Sequence, residues 1–328
     1  MKTRPLGRTG IVVSEIGFGA WGLGATMWKG VSEEEGSGAL AAALEAGVTF
    51  IDTALAYGDG HSERIIAKVL AGRHDRHRVH VATKIPPMNM VWPASRAVPI
   101  SRVFPADYVR QCTERSLRHL GRERLDVQQF HVWHDVWLQQ EAWHETRREM
   151  DRLKQEGKVA HWGISVNDHA PETALLALDD LIFETAQVIY NIFDRSPETQ
   201  LFPLARERDL GIIVRVPFDE GALTGAIRPD SVFPDGDWRH RYFRGNRKAE
   251  AARRADALKT LLGKEAQTLP ELALRFILSS VDVTCVIPGM RRAANVFANV
   301  AVSDGRRLTP EFLAALHDHA WKKNWYGD

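Results

Sequence analysis

The chain contains only two cysteines in 328 residues, Cys112 and Cys285. They stand far apart, one in a stretch of helical period and one in an apolar run, with no CxxC pair. Neither a disulfide framework nor a thiolate metal site is predicted. Reduced, structural thiols and a cytoplasmic location are the expectation. A surplus of charge is also missing: 43 Lys and Arg stand against 42 Asp and Glu, a net charge of +1. That leaves no electrostatic footprint for nucleic acid or an anionic membrane surface. Long hydrophobic runs are absent. Nothing approaches the ~18 apolar residues of a membrane span, and the opening MKTRPLGRTG has no apolar core of signal-peptide length. No low-complexity linker or repeat interrupts residues 1–328, which are predicted to form one domain.

What is present is an alternation. Apolar runs of strand length occur at 15–20, 48–52, 79–84, 125–131, 158–165, 185–191, 211–216 and 282–288. Between them lie stretches such as 32–47, 62–72, 106–121 and 270–280, whose apolar residues recur every three to four positions. Ser32 with Glu35, Ser62 with Glu63, and Gly47, Gly72 and Gly121 supply helix start and stop chemistry. Such an α/β alternation predicts a parallel (β/α)8 TIM barrel, whose functional residues come from the C-terminal strand ends. TRPLGRTGIVVS reads as an N-terminal β-hairpin closing one end. Two long connections, 86–106 and 218–246, are rich in Trp, Phe and Tyr, and loops of that length in a compact domain are usually functional.

The second run ends at Asp52, with Tyr57 just beyond; the third ends at Lys84 and the fourth at His131. Taken singly, these are a loop hydrogen-bonder, rim packing, an edge charge and a satisfied core histidine. Taken together at successive strand ends, they predict a proton-transfer site. A free phenol, with a pKa of about 10, yields its proton poorly at neutral pH, so a lysine cation beside it and a carboxylate to hold the lysine make chemical sense.

The segment IDTALAYGDGHSER resembles the signature of the aldo-keto reductase family. The likeness runs on through RPLGRTGIVVSEIGFGAWGLG, ATK, LDVQQFH, HWGISV, PFDEGALTG and VIPGMRR. It implies an oxidoreductase that reduces an aldehyde or ketone with NADPH on a TIM barrel. Its catalytic tetrad would be Asp52, Tyr57, Lys84 and His131, with Tyr57 as general acid. The resemblance further implies cofactor contacts from Gly19, Ala20, Trp21, Asp52, Ser165, Gln187, Arg215, Pro217, Phe218, Gly221, Leu223, Gly289, Arg291, Asn295 and Asn299. Val166 stands where an asparagine is usual, and Asn167, displaced by one, is the candidate in its place. Arg291 implies NADP over NAD through the 2′-phosphate, with Arg292 adjacent. The substrate pocket, for a small-molecule carbonyl, is expected from Trp21, Tyr57, Trp92, His131 and Trp133, with Trp137 nearby.

Three motifs point elsewhere without context to support them. GFGAWG satisfies GxGxxG, but no helix follows. GISVN lacks the last glycine of a nucleophile elbow. His131 and His134 lack the helical i, i+4 spacing of a zinc site, and no metal is expected. A cofactor-binding sensor or auxiliary subunit with little turnover is the alternative to the enzyme. A TIM-barrel hydrolase or lyase using Asp52 and His131 ranks behind it.

Overall fold

The computed structural model describes every residue except Thr26 and Asp328. It opens with the hairpin, β1 (Thr3–Pro5) and β2 (Val12–Ser14), paired antiparallel with Thr3 opposite Ser14. Eight parallel strands follow in sequential order. They are β3 (Phe18–Gly19), β4 (Phe50–Asp52), β5 (His80–Ile85), β6 (Leu125–Phe130), β7 (Val159–Ser165), β8 (Thr185–Ile189), β9 (Gly211–Arg215) and β10 (Cys285–Val286). The first and last meet: Ile16 bridges Val286, and Gly19 bridges Gly289. Gly17 N donates to the Val286 carbonyl at 2.8 Å and Val286 N to that of Glu15 at 3.0 Å, closing the barrel. Gly19 is required at this seam, because a Cβ there would lie 2.6 Å from the Ile287 carbonyl oxygen.

The helices are α1 (Glu33–Glu45), α2 (His61–Ala71), α3 (Ala106–Leu120), α4 (Glu141–Gln155), α5 (Leu175–Asp179), α6 (Leu201–Arg208), α7 (Arg239–Tyr242), α8 (Arg247–Lys259), α9 (Leu269–Ser279), α10 (Ala293–Ala301) and α11 (Pro310–His317). None is long and apolar enough to cross a membrane. Ser32 and Glu35 form the capping box expected from their spacing. The expected start at Ser62 moves. Gly60, in the left-handed conformation, caps α2, and the Ser62 and Glu63 side chains turn inward. Ser62 Oγ donates to the Ala20 carbonyl and accepts from Thr53 Oγ1. Glu63 accepts from Thr83 and lies against His119.

Inside the barrel, Phe50, Ala82, Val127, Ile213, Cys285 and Ile287 pack with Leu6 and Val13 of the hairpin, which thus plugs the N-terminal end. Cys285 and Cys112 are both free and buried. Side chains alternate along a strand, so residues two beyond this apolar layer also face inward. Asp52 follows Phe50, Lys84 follows Ala82, and Arg215 follows Ile213. The polar layer is therefore set by the same period that builds the core.

Candidate active site

At the centre of that layer, Lys84 Nζ donates to Asp52 Oδ1 at 2.6 Å and to the Thr53 carbonyl at 2.8 Å. The Tyr57 hydroxyl lies 3.4 Å from the same ammonium, carried there by the loop after β4. Gly24 permits this approach: a Cβ on it would stand 2.8 Å from the Tyr57 carbonyl carbon. The Tyr57 and His131 rings meet edge to face, 5.8 Å between centroids. Lys84 is wholly buried, and burial pulls its pKa down against the pull of Asp52. Burial, then Asp52, pushes the Tyr57 phenol up. Burial, then Lys84 and Arg215, holds His131 well below the ordinary histidine value, so its imidazole is neutral at pH 7. The arrangement is thus a protonated phenol and a neutral imidazole facing one opening, over a buried ion pair. It can hydrogen-bond a carbonyl oxygen and give it a proton.

Trp21 and Trp92 wall the opening. Trp21 lies 6.4 Å from the Tyr57 ring and Trp92 5.9 Å from that of His131. On the far side, Arg215 Nη2 donates to the Val166 carbonyl at 3.0 Å and to Asp168 Oδ1 at 2.8 Å. The loop after β9 holds Val216, Asp219 and Glu220 at φ values of 54°, 48° and 56°. Left-handed backbone at non-glycine residues costs on the order of 1–3 kcal/mol each and gathers at functional sites. The C-terminal segment returns to brace this loop. Lys323 Nζ donates to Asp219 at 2.7 Å, and the Tyr326 hydroxyl to Glu220 at 2.5 Å.

Residues 15–320 match the Aldo/keto reductase family model. The chain belongs to the aldo/keto reductase family. It is 31% identical over 304 residues to the aldo-keto reductase YhdN of Bacillus subtilis, covering 91% of this chain and 87% of that protein. It is 29% identical to the NADH-specific methylglyoxal reductase of Escherichia coli, across 92% of this chain and 93% of that one. Among solved structures, a holo-form aldo-keto reductase of Bacillus halodurans superposes with a TM-score of 0.73 at 27% identity, covering 98% of this chain and 96% of that one. The glycerol dehydrogenase of Gluconobacter oxydans gives a TM-score of 0.78 at 28% identity, over 97% and 94% of the two chains. The (β/α)8 expectation therefore stands, and the protein is an oxidoreductase of the aldo-keto reductase type, a family that binds a nicotinamide cofactor.

Within this aldo-keto reductase, some expected residues lie at the mouth and others do not. Ser165 ends β7, and Gln187, its register partner on β8, donates through Nε2 to Asp52 Oδ2 at 2.6 Å. Asn167 is committed elsewhere. Its amide accepts from Ala94 N and donates to the Trp133 carbonyl and Thr173 Oγ1, pinning three loops together instead of facing a ligand. Trp133 and Trp137 do not wall the pocket, because the chain after His131 turns outward. Both rings are fully buried against Phe104, Phe130, Trp143 and Phe183, with Trp133 Nε1 donating to Asp135 Oδ1. Leu223 is buried, Gly289 is open to solvent, and Asn295 and Asn299 lie one turn apart on α10. Arg291 Nη1 donates to the Lys29 carbonyl at 2.9 Å, and its guanidinium lies 5.2 Å from the Trp28 ring. Arg239, 4.6 Å from the same ring, was not foreseen. Nor were Asp168, Glu220 and Tyr326. Their polar or charged character was readable, but only the chain's path brings them to the mouth.

Proposed function

We propose that this chain, as one domain spanning residues 1–328, reduces aldehydes or ketones to alcohols with NADPH in the cytoplasm. The observation that carries the reading is the meeting of Asp52, Lys84, Tyr57 and His131 at one opening, with Lys84 2.6 Å from the carboxylate and 3.4 Å from the phenol. Tyr57 is the general acid. Lys84 and Asp52 hold it in place, and His131 orients the carbonyl oxygen. A bound reduced nicotinamide supplies the hydride to the carbonyl carbon. The chain's own part is to fix the oxygen between Tyr57 and His131 and to complete the alcohol with the phenolic proton.

The residues present suit such a cofactor. Ser165 and Gln187, register partners beside Asp52, would pair with a carboxamide through the Ser165 hydroxyl and the Gln187 amide oxygen. The turn from Pro217 through Phe218 and Gly221, together with Gly19, Ala20, Trp21 and Gly289 at the C-terminal strand ends, would supply backbone donors to the phosphates. Two guanidiniums crowd Trp28, those of Arg291 and Arg239, and burial, then Arg239, pulls the Arg291 pKa down. A crowded cationic pair suits a dianionic 2′-phosphate, and this favours NADPH over the NADH used by the Escherichia coli relative. Asn295, exposed on α10, would serve the adenine end, with Asn299 buried one turn on. The apolar rim of Met88, Met90, Val91 and Trp92, all well exposed, suits a small carbonyl compound with an apolar substituent.

The test is nicotinamide absorbance decay with NADPH and, separately, NADH over a panel of aldehydes and ketones. Turnover with NADPH preferred supports the reading. Tight NADPH binding without oxidation across the panel would point to a cofactor-binding sensor instead.

A further inference from the structure

The turn after β9 places Val216, Asp219 and Glu220 in left-handed backbone and buries the two acidic side chains. Such backbone persists only where its surroundings over-determine it, and a buried carboxylate only where it is paired. Neighbouring elements supply part of this. Asn191 Nδ2 donates to the Val216 carbonyl at 3.0 Å, and the Tyr242 hydroxyl of α7 donates to Asp219 Oδ1 at 3.3 Å. The compensating charge comes from the C-terminal segment. Lys323 Nζ donates to Asp219 Oδ1 at 2.7 Å and to the Tyr242 hydroxyl at 2.9 Å, with both charged side chains buried. The rings of Trp325, Trp321 and Tyr242 stand 4.6, 5.0 and 5.3 Å from the ammonium. Beside it, the Tyr326 hydroxyl donates to Glu220, the Tyr326 ring stacks on Trp238 at 6.0 Å, and Asn324 Nδ2 donates to the Asp168 carbonyl at 3.2 Å. A lysine near a chain end ordinarily keeps its head in water. This one gives up water for Asp219.

We propose that Lys323 is a positioning residue for the cofactor: by neutralising Asp219 and fastening residues 321–326, it holds the turn from Pro217 to Gly221 in the form that receives the pyrophosphate of a dinucleotide. This rests on the reading of that turn as the source of backbone donors to the phosphates. Charge and shape both enter. A pyrophosphate brings negative charge to a turn that already carries Asp219, and an unpaired carboxylate there would repel it through a medium of low dielectric. Without the ammonium the turn can also relax to ordinary backbone, letting Asp219 reach water and losing the cradle. Only molecules that hold the cradle bind, so the apparent affinity falls with their fraction. The 2′-phosphate is read at Arg291 and Arg239, away from this turn, so NADPH and NADH should suffer alike. The coupling is reciprocal: a cofactor that needs the docked segment also tightens its docking.

The experiment compares the full-length parent, Lys323→Met, and Lys323→Met combined with Asp219→Asn. Fluorescence titration gives the Kd of each folded protein for NADPH and for NADH. Hydrogen exchange read by mass spectrometry follows residues 321–326 of the parent with and without NADPH, with α3 as the reference. Lys323→Met should weaken both cofactors by the same factor, about tenfold or more. The double variant strands no charge and should recover most of that loss. NADPH should slow exchange in residues 321–326 more than in α3.

Unchanged affinity in a folded Lys323→Met would overturn the proposal, as would a loss for NADPH alone or a double variant as weak as the single one. So would exchange in the segment that ignores the cofactor. The exchange arm needs no variant, and it decides even where Lys323→Met does not fold. A parent that shows the coupling but reduces no carbonyl would uphold the role of Lys323 and sink the carbonyl reductase reading. A parent that binds neither cofactor would sink both.

Discussion

Lys84 and Asp52 form an ion pair sealed inside the barrel, 2.6 Å from Nζ to Oδ1, with side chains 0% and 3% exposed. Breaking such a pair strands a charge, which costs roughly 3–5 kcal/mol, whereas removing both partners together costs far less. Lys84→Met should therefore lower stability by about that amount in urea unfolding, and Asp52→Asn combined with Lys84→Met should recover most of it. Equal losses in the single and double variants would show that the two charges are not coupled.

Tyr57→Phe keeps the ring that packs against Trp21 and His131 and deletes only the hydroxyl that carries the proton. With NADPH affinity retained, the reduction rate should fall by roughly 10²–10⁴, the range for lost general acid catalysis. Steady-state kinetics beside a fluorescence titration would measure both. Turnover near the parent rate in a correctly folded variant would remove Tyr57 from the chemistry and make His131 the leading acid.

Arg291 meets Trp28 and the Lys29 carbonyl, so it braces a loop as well as presenting charge. Arg291→Ala should weaken NADPH by about 1.5–3 kcal/mol, the worth of a charge-assisted hydrogen bond, and barely change NADH. Calorimetric titration with each cofactor distinguishes the cases. The same loss for both would assign Arg291 to the loop alone.

How much of this was legible in the sequence depends on whether local period or loop path decides the position. Asp52, Lys84 and His131 could be read because each ends an apolar run whose alternation fixes the side facing in. The hairpin and the eight strands followed from the same pattern. Ser62 was misread because its hydroxyl has a better partner in the Ala20 carbonyl than in the first turn of α2, which Gly60 can begin without a side-chain cap. Trp133 was misread because an aromatic just past a strand end can turn to either layer, and the Asp135 carboxylate draws it outward. Asp168 and Tyr326 reach the mouth by irregular chain, and Arg239 by a four-residue helix too short to show a period. Their placement is a tertiary fact.

Glu220 offers a test of stability against pH that needs no substrate. Burial lifts its carboxyl from an ordinary 4.5 to about 7, with Asp219 and Asp168 adding to the rise and the Tyr326 hydroxyl opposing it. A carboxyl that binds its proton more tightly when folded makes the native state hold a proton that the unfolded chain has lost. Between pH 4.5 and about 7, stability should therefore fall as pH rises, and above that window the whole penalty is present. Glutamine is neutral throughout and keeps an oxygen to accept from Tyr326. Glu220→Gln should match the parent below pH 4.5 and exceed it by roughly 3 kcal/mol above pH 7, since a tenfold change in proton affinity is worth about 1.4 kcal/mol. Urea unfolding at several pH values across the window would show the two curves diverging as pH rises. A constant difference would mean that Glu220 is already ionised at the low end, and a variant less stable at high pH would mean that the carboxylate, not the acid, is the form the fold requires.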